Sequence, residues 1–223
     1  MITYKGRQIP DTFEEIVDPK HTALIVHEML NDFCHKDGAY SAAIPDRTLV
    51  QDLPGLIGPT VNLVNEARKA EVKVIYVGWT NYPDNSSRSD PEIQAAYESI
   101  MDGTYIMQRC LFEGTWGHEV IDELKPQEGD LFLNKYKRDA FAGTSLDSIL
   151  QWNGIRTFII VGIGVHVGIV PTVSNGVNKG YFVVVPEDCM ISNEPEWLDT
   201  AMKFLRMWAI AKPSSELIKA WKG

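Results

Sequence analysis

The sequence predicts a doubly wound parallel α/β sheet in a single three-layer αβα domain covering residues 1–223, and three observations carry that expectation. Short β-branched and aromatic runs at 22–27, 72–77, 131–133, 157–162 and 181–185 alternate with stretches of helical spacing. These runs are apolar at successive positions, the pattern of strands buried on both faces. The central run, Thr157-Phe-Ile-Ile-Val-Gly162, passes through a glycine-containing turn into a helix whose first turn tolerates Pro171. In open α/β sheets that strand-to-helix turn is where ligands bind.

Taken in order, residues 1–20 carry Pro10 and Pro19 with little periodicity and read as an extended arm on the domain surface. Residues 22–27 form the first sheet strand, and Glu28 at its carboxyl end is placed to face the ligand crevice. Gly, Pro, Asp and Ser make 34–54 a loop able to cover that crevice, and 59–70 a helix carrying Val61, Leu63, Val64 and Ala67 on one face. The strand at 72–77 ends at Trp79 and Thr80. The stretch 81–90 is polar and turn-rich, and Pro91 opens a helix to position 100.

Gly114-Thr-Trp-Gly117 precedes a helix over 118–124, and the strand at 131–133 delivers Asn134 and Lys135. Ser145 caps a helix that runs to Trp152, and Asn153-Gly154 stops it before the central strand. Gly180 ends the following helix, 181–185 is another buried strand, and 196–206 is amphipathic. Residues 207–211 suggest an edge strand, and Ser214 starts a closing helix. Right-handed crossovers then gather Glu28, Lys135 and the 162–168 turn at one sheet edge.

Composition narrows the function classes. A formal charge of -9 with no basic block argues against nucleic acid and against an anionic membrane surface. No apolar run approaches the ~20 residues of a membrane helix. Cys34, Cys110 and Cys189 are widely spaced and unpaired, and no signal segment opens the chain, so a reduced, cytoplasmic protein is expected. No cofactor is called for: there is no P-loop or dinucleotide fingerprint, and Gly162-Ile-Gly164 alone is too common to imply a nucleotide. The expected partner is a small-molecule substrate.

The motifs resemble the isochorismatase-like hydrolase superfamily, which includes nicotinamidases and other cysteine amidohydrolases. Ala23-Leu-Ile-Val-His-Glu-Met-Leu-Asn-Asp-Phe33 is similar to the first-strand signature, with Glu28 where the family has its catalytic Asp. Lys135 with Asp139-Ala-Phe141 and Gly143-Thr-Ser-Leu146 is similar to the lysine strand and the helix behind it. Gly162-Ile-Gly-Val-His-Val-Gly168, with Thr172 beyond, is similar to the third signature, where the amidohydrolases place a nucleophilic cysteine. The match covers most of residues 22–190. The resemblance implies a six-stranded parallel sheet, homodimers or homotetramers, and a non-proline cis peptide at 163–164 or 164–165.

Two departures shape the expected chemistry. Gly168 offers no thiol at the attacking position, which disfavours a covalent acyl-enzyme. Glu28 in place of Asp moves the carboxylate by one methylene, and a misplacement of about 1 Å costs on the order of a hundredfold in rate. His27-Glu28-Met29 and His166-Val167-Gly168 are similar to the glycine-containing branch that hydrolyses vinyl ethers without a covalent intermediate. The expected function is therefore non-covalent hydrolysis of a small anionic molecule, vinyl ether in type, with Glu28 as general acid or base and Lys135 orienting it. The alternatives are an amide or ureide hydrolase using Glu28-activated water, and an inactive binding or scaffold protein of the same fold. A thiol restored at 168 is not expected to suffice for amide hydrolysis, because Glu28 is not placed for that partner.

Each site residue also has a plainer reading. Glu28 and Lys135 would form a structural ion pair if they did no chemistry. Lys135 competes with Lys137 and Arg138, and its spacing to Phe141 favours it. His166 reads more as a turn histidine than as a catalyst. Phe33, Trp79, Trp116 and Phe141 fall where aromatics wall a pocket, joined by Gly164, His166 and Val167 from the turn, although any aromatic among them also suits a core. Cys34 lies near the first strand but has no evident activating base. A metal site is not expected, since the second strand ends Gly78-Trp-Thr-Asn-Tyr82 without an Asp and His cluster.

Overall fold

The computed structural model describes residues 1–43, 48–84, 86–192 and 195–223. The expected arm at 1–20 is structured: β1 (Ile2–Tyr4) pairs antiparallel with β2 (Arg7–Ile9), followed by α1 (Phe13–Ile16). Lys5 and Gly6 both have positive φ, 49° and 78°, as a two-residue hairpin turn of matching twist requires. Thr12 and Glu15 close a capping box on α1. These local signals were available in the chain, but periodicity does not report a hairpin this short.

β3 (Thr22–His27) is followed by α2 (Asn31–Cys34), α3 (Ala39–Ala43) and α4 (Thr48–Lys69). The expected loop at 34–54 is thus largely helical, and its residues 44–47 lie outside the described residues. The helix expected at 59–70 begins at Thr48 and holds Pro54 and Pro59 within it. Each interior proline costs about 3 kcal/mol. Burial of Leu53, Leu56, Leu63, Val64 and Ala67 against the sheet outweighs this, at roughly 1.5–3 kcal/mol for each larger side chain.

β4 (Lys73–Trp79) leads to α5 (Asp90–Ala95) and α6 (Tyr97–Met101), two short helices in place of the one expected from Pro91. The helix expected at 118–124 is absent: two 3₁₀ turns, Trp116–His118 and Asp122–Leu124, flank an antiparallel bridge between Leu30 and Val120. Backbone bonds from Asn31 to Glu119 (2.9 Å) and from Ile121 to Met29 (3.0 Å) take the groups a helix would have used.

β5 (Leu131–Lys135), α7 (Leu146–Trp152) and β6 (Thr157–Ile163) follow, then α8 (Val170–Asn178) and β7 (Phe182–Pro186). β8 (Met190–Ile191), α9 (Pro195–Trp208), β9 (Ile210–Lys212) and α10 (Ser214–Lys222) complete the chain. All pairings in the main sheet are parallel, in the order β5-β4-β3-β6-β7-β9. The two-residue β8 adds a seventh strand beside β6, where six were expected.

Strand residues alternate between two cores. Leu24, Val26, Val74, Tyr76, Ile159 and Val161 face α4 and α10, whereas Ala23, Ile25, Ile75, Val77, Phe158 and Ile160 face α7, α8 and α9. The chain steps outward from β3 to β4 and β5, then returns to β6 on the opposite side of β3. That reversal opens a crevice at the carboxyl ends of β3 and β6.

Two backbone features sit there. Glu28 follows β3 with φ 61°, a left-handed conformation that costs a residue with a side chain on the order of 1–3 kcal/mol. Gly162 has φ 121°, and a Cβ there would lie 2.1 Å from the His27 carbonyl oxygen. No cis peptide bond occurs among the described residues, which corrects the expectation at 163–165; Gly164 makes the turn with φ 68° instead. Gly162→Ala is therefore expected to lower stability by about 2–3 kcal/mol, read as a fall in the urea midpoint at unchanged m-value.

Candidate active site

Strand ends place the charged groups. The Lys135 ammonium, at the end of β5, lies 2.6 Å from Glu28 Oε1, and both residues are buried. It also donates to the carbonyls of Lys137 (3.2 Å) and Arg138 (3.3 Å) and sits 4.8 Å from the centre of the Trp79 ring. Glu28 Oε2 accepts from the Trp79 backbone N–H at 2.9 Å. The carboxylate is thus held from two strands, by an ion pair at Oε1 and a hydrogen bond at Oε2, and Oε1 itself accepts no hydrogen bond of sound geometry among the described residues.

His27 precedes Glu28 and is almost fully buried. Its Nδ1 is 2.9 Å from the Ile163 carbonyl oxygen, an acceptor only, so Nδ1 carries the proton. Burial, and the Lys135 charge beside it, hold His27 well below its ordinary value despite the bond to Ile163. The ring is therefore neutral and Nε2 carries a lone pair.

The glycine turn contributes the facing wall. Val165–Ile169 is one wide π-type turn ahead of α8. Thr172 donates to the Gly168 carbonyl at 2.7 Å and accepts from the Ala140 N–H at 2.9 Å, tying the turn to the segment beyond Lys135. A Cβ on Gly168 would fall 2.3 Å from His27 Cε1 and 2.6 Å from Nε2. The imidazole occupies the space that any side chain at 168 would need.

These groups border a cavity of about 390 Å³. Of the residues singled out in the sequence, Glu28, Phe33, Trp79, Lys135, Gly164, Val167 and Gly168 line it. Three others are placed elsewhere. Trp116 is exposed, its ring edge-on to His35. Phe141 is buried among Phe158 and Tyr181 in the core behind the sheet. His166 turns outward to Ser192 Oγ (3.1 Å) and stacks on Trp197.

The lining also includes His27, Tyr40, Glu92, Tyr105, Ile106, Met107, Arg138 and Ile163, none of them expected as site residues. His27 was visible in the first-strand motif as a buried polar residue beside the carboxylate. Tyr40 comes from the covering segment, and Tyr105, Ile106 and Met107 lie in a stretch with no periodic pattern. Glu92 is held below the usual carboxylate range: burial pushes it up, but the Ser89 amide and hydroxyl, with Lys137 and Arg138, outweigh burial. The thiols are poorly suited to attack. Burial, then the Glu28 charge, push Cys34 up, and burial takes Cys110 and Cys189 up to about 12.

The family model described as the isochorismatase domain matches residues 22–215. The chain belongs to the isochorismatase family and is a hydrolase. Ureidoacrylate amidohydrolase RutB of Caulobacter segnis is 32% identical over 193 residues, covering 84% of this chain and 80% of that protein. N-carbamoylsarcosine amidase from Thermoplasma acidophilum aligns with a TM-score of 0.65 and 31% identity, over 86% of this chain and 96% of that one. A cysteine hydrolase from Pseudomonas syringae pv. phaseolicola shares the fold, with a TM-score of 0.77 at 24% identity over 93% and 95% of the two chains.

In this isochorismatase-family chain, the contact between His27 and Gly168 leaves no room for a side chain at 168. Gly168→Cys is expected to lower stability by about 1–3 kcal/mol through overpacking and to create no efficient amidase. In a His27→Ala background the same substitution is expected to cost markedly less. A double-mutant cycle on unfolding midpoints measures the difference, and simple additivity would contradict the contact.

Proposed function

We propose that this protein hydrolyses an amide or ureide bond of a small carboxylated molecule by direct attack of water, without a covalent intermediate. The observation that carries the reading is a carboxylate fixed at the cavity wall with no cysteine among the described lining residues. Glu28 takes a proton from water as the oxygen bonds to the carbonyl carbon. The same carboxyl then returns that proton to the departing nitrogen, so the carboxylate is regenerated. Lys135 pairs with Glu28 at 2.6 Å and donates to two backbone carbonyls, so its part is to aim and neutralise the carboxylate.

Arg138, exposed at the cavity edge, is the cation we assign to the substrate's own carboxylate. The ureide substrates named for two relatives, ureidoacrylate and N-carbamoylsarcosine, favour C–N cleavage over the vinyl-ether reaction. The His27-Glu28-Met29 pattern is what keeps the vinyl-ether reading as the second one. An inactive scaffold is disfavoured because the cavity is open and not filled by side chains. The homodimer or homotetramer is supported by Trp197, Phe204, Met207 and Trp208, exposed along α9, and a cytoplasmic setting by three free thiols. No helix among the described residues is long and apolar enough to cross a membrane.

A panel of ureidoacrylate, N-carbamoylsarcosine, simple amides and vinyl ethers tests the assignment. Turnover is expected with the carboxylated ureides, and Glu28→Gln is expected to lower kcat on the order of a thousandfold with little change in KM. Undiminished turnover by Glu28→Gln contradicts the role given to Glu28, and selective turnover of vinyl ethers contradicts the substrate class.

A further inference from the structure

The least explained group in the cavity is His27 Nε2. It is buried and has no hydrogen-bond partner among the described residues, and Glu28 Oε1 lies 3.8 Å away. A buried lone pair left unmatched costs about 1–3 kcal/mol, yet the ring cannot turn it elsewhere: Nδ1 is committed to Ile163, and Cε1 and Nε2 border Gly168. Nε2 and Glu28 Oε1 are both closed to solvent at rest, so bulk water satisfies neither. Oε1 as a carboxylate has no hydrogen to give it. Once Glu28 is protonated at Oε1, it does.

We propose that His27 is a positioning residue that holds the protonated form of Glu28, accepting a hydrogen bond at Nε2 from the Oε1–H formed when Glu28 takes the proton of water. This deepens the water-attack reading and rests on it. Oε1 is closed to solvent at rest, so the carboxyl must first move to open it to the cavity; the proton then passes from water to Oε1, is held there against Nε2, and leaves from Oε1 to the departing nitrogen. The imidazole gains no proton and keeps Nδ1–H on Ile163 throughout. Closing 3.8 Å to hydrogen-bond distance needs about 1 Å of carboxyl movement. Active-site hydrogen bonds commonly tighten by this much once substrate is bound.

Glycine at 168 fits the same arrangement, since any Cβ there would displace the ring that presents Nε2. The other groups facing Glu28 do not accept that proton in its place. The Lys135 ammonium and the Trp79 N–H are donors. The Cys34 thiol is directed at the Glu28 backbone carbonyl, 3.9 Å away, and Arg138 is a cation at the cavity edge.

The test has two arms. In the kinetic arm, His27→Asn keeps a donor near Nδ1 and removes the acceptor, whereas His27→Gln keeps an acceptor near Nε2. With the ureide that the wild type hydrolyses, His27→Asn is expected to lower kcat about a hundredfold with KM within about threefold, and His27→Gln to recover about tenfold of that loss. Equal losses in the two variants, or no loss in His27→Asn, overturn the proposal.

The second arm needs no substrate. Imidazole ¹⁵N NMR of the intact protein is expected to show the proton on Nδ1 at neutral pH. A proton on Nε2 at neutral pH overturns the role of His27. Failure of every ureide to turn over while Nε2 stays unprotonated overturns the substrate class and leaves the acceptor at Nε2 in place.

Discussion

The rest of the site depends on one buried ion pair. Glu28 and Lys135 are taken almost completely out of water, at 5% and 1% exposure, and the desolvation of each charge costs several kcal/mol. Attraction at 2.6 Å offsets this only if the remaining polar atoms are matched. They are matched by backbone, through the Trp79 N–H and the carbonyls of Lys137 and Arg138. Three strands must therefore end in register for the pair to exist. Lys135 sits opposite Trp79, and β4 in turn pairs with β3, so an error in register at either interface would leave a buried charge unmatched.

Topology explains why the pair stands where a ligand can reach it. β3 is the first strand of the main sheet, and the chain later returns to its other side as β6, so the ends of β3 and β6 diverge. Glu28 leaves β3 in a left-handed conformation and Gly162 passes within contact of the His27 carbonyl. The first is unfavourable locally and tolerable because the sheet on either side fixes it, and the second is open to glycine alone. The segment from α2 to α3 and the stretch around Tyr105 then close the crevice from outside, which lowers the local dielectric and strengthens the fields of the charges within.

Much of this was legible in the chain. Buried parallel strands are apolar at successive positions, so β3, β4, β6 and β7 could be bounded to within about two residues, and a carboxylate or lysine directly after such a run has few places to go other than the crevice. What escaped were features decided by distant contacts. The segment at 118–124 has helical spacing, yet bridging to Leu30 takes its backbone bonds. Pro54 and Pro59 argue locally against a helix that burial nonetheless sustains. Phe141 carries a pocket-lining residue's credentials in one dimension, but the fold turns it into the layer beneath Phe158 and Tyr181. The importance of His27 was hidden for a similar reason, since only the approach of β6 shows that its ring fills the space at Gly168.

In the proposed water-attack route, hydrolysis proceeds from a carboxylate-bound water and needs no thiol. The most direct measurement is turnover by a variant in which Cys34, Cys110 and Cys189 are all replaced by alanine. Cys34 is the thiol nearest the carboxylate, with Sγ 3.9 Å from the Glu28 carbonyl oxygen, so a covalent route that had moved to another cysteine would run through it. Water attack predicts kcat within about threefold of the parent enzyme and no acyl adduct in the intact mass of either protein during turnover. Loss of activity that follows Cys34→Ala alone in a folded protein, with an acyl adduct on Cys34 in the parent, would contradict it.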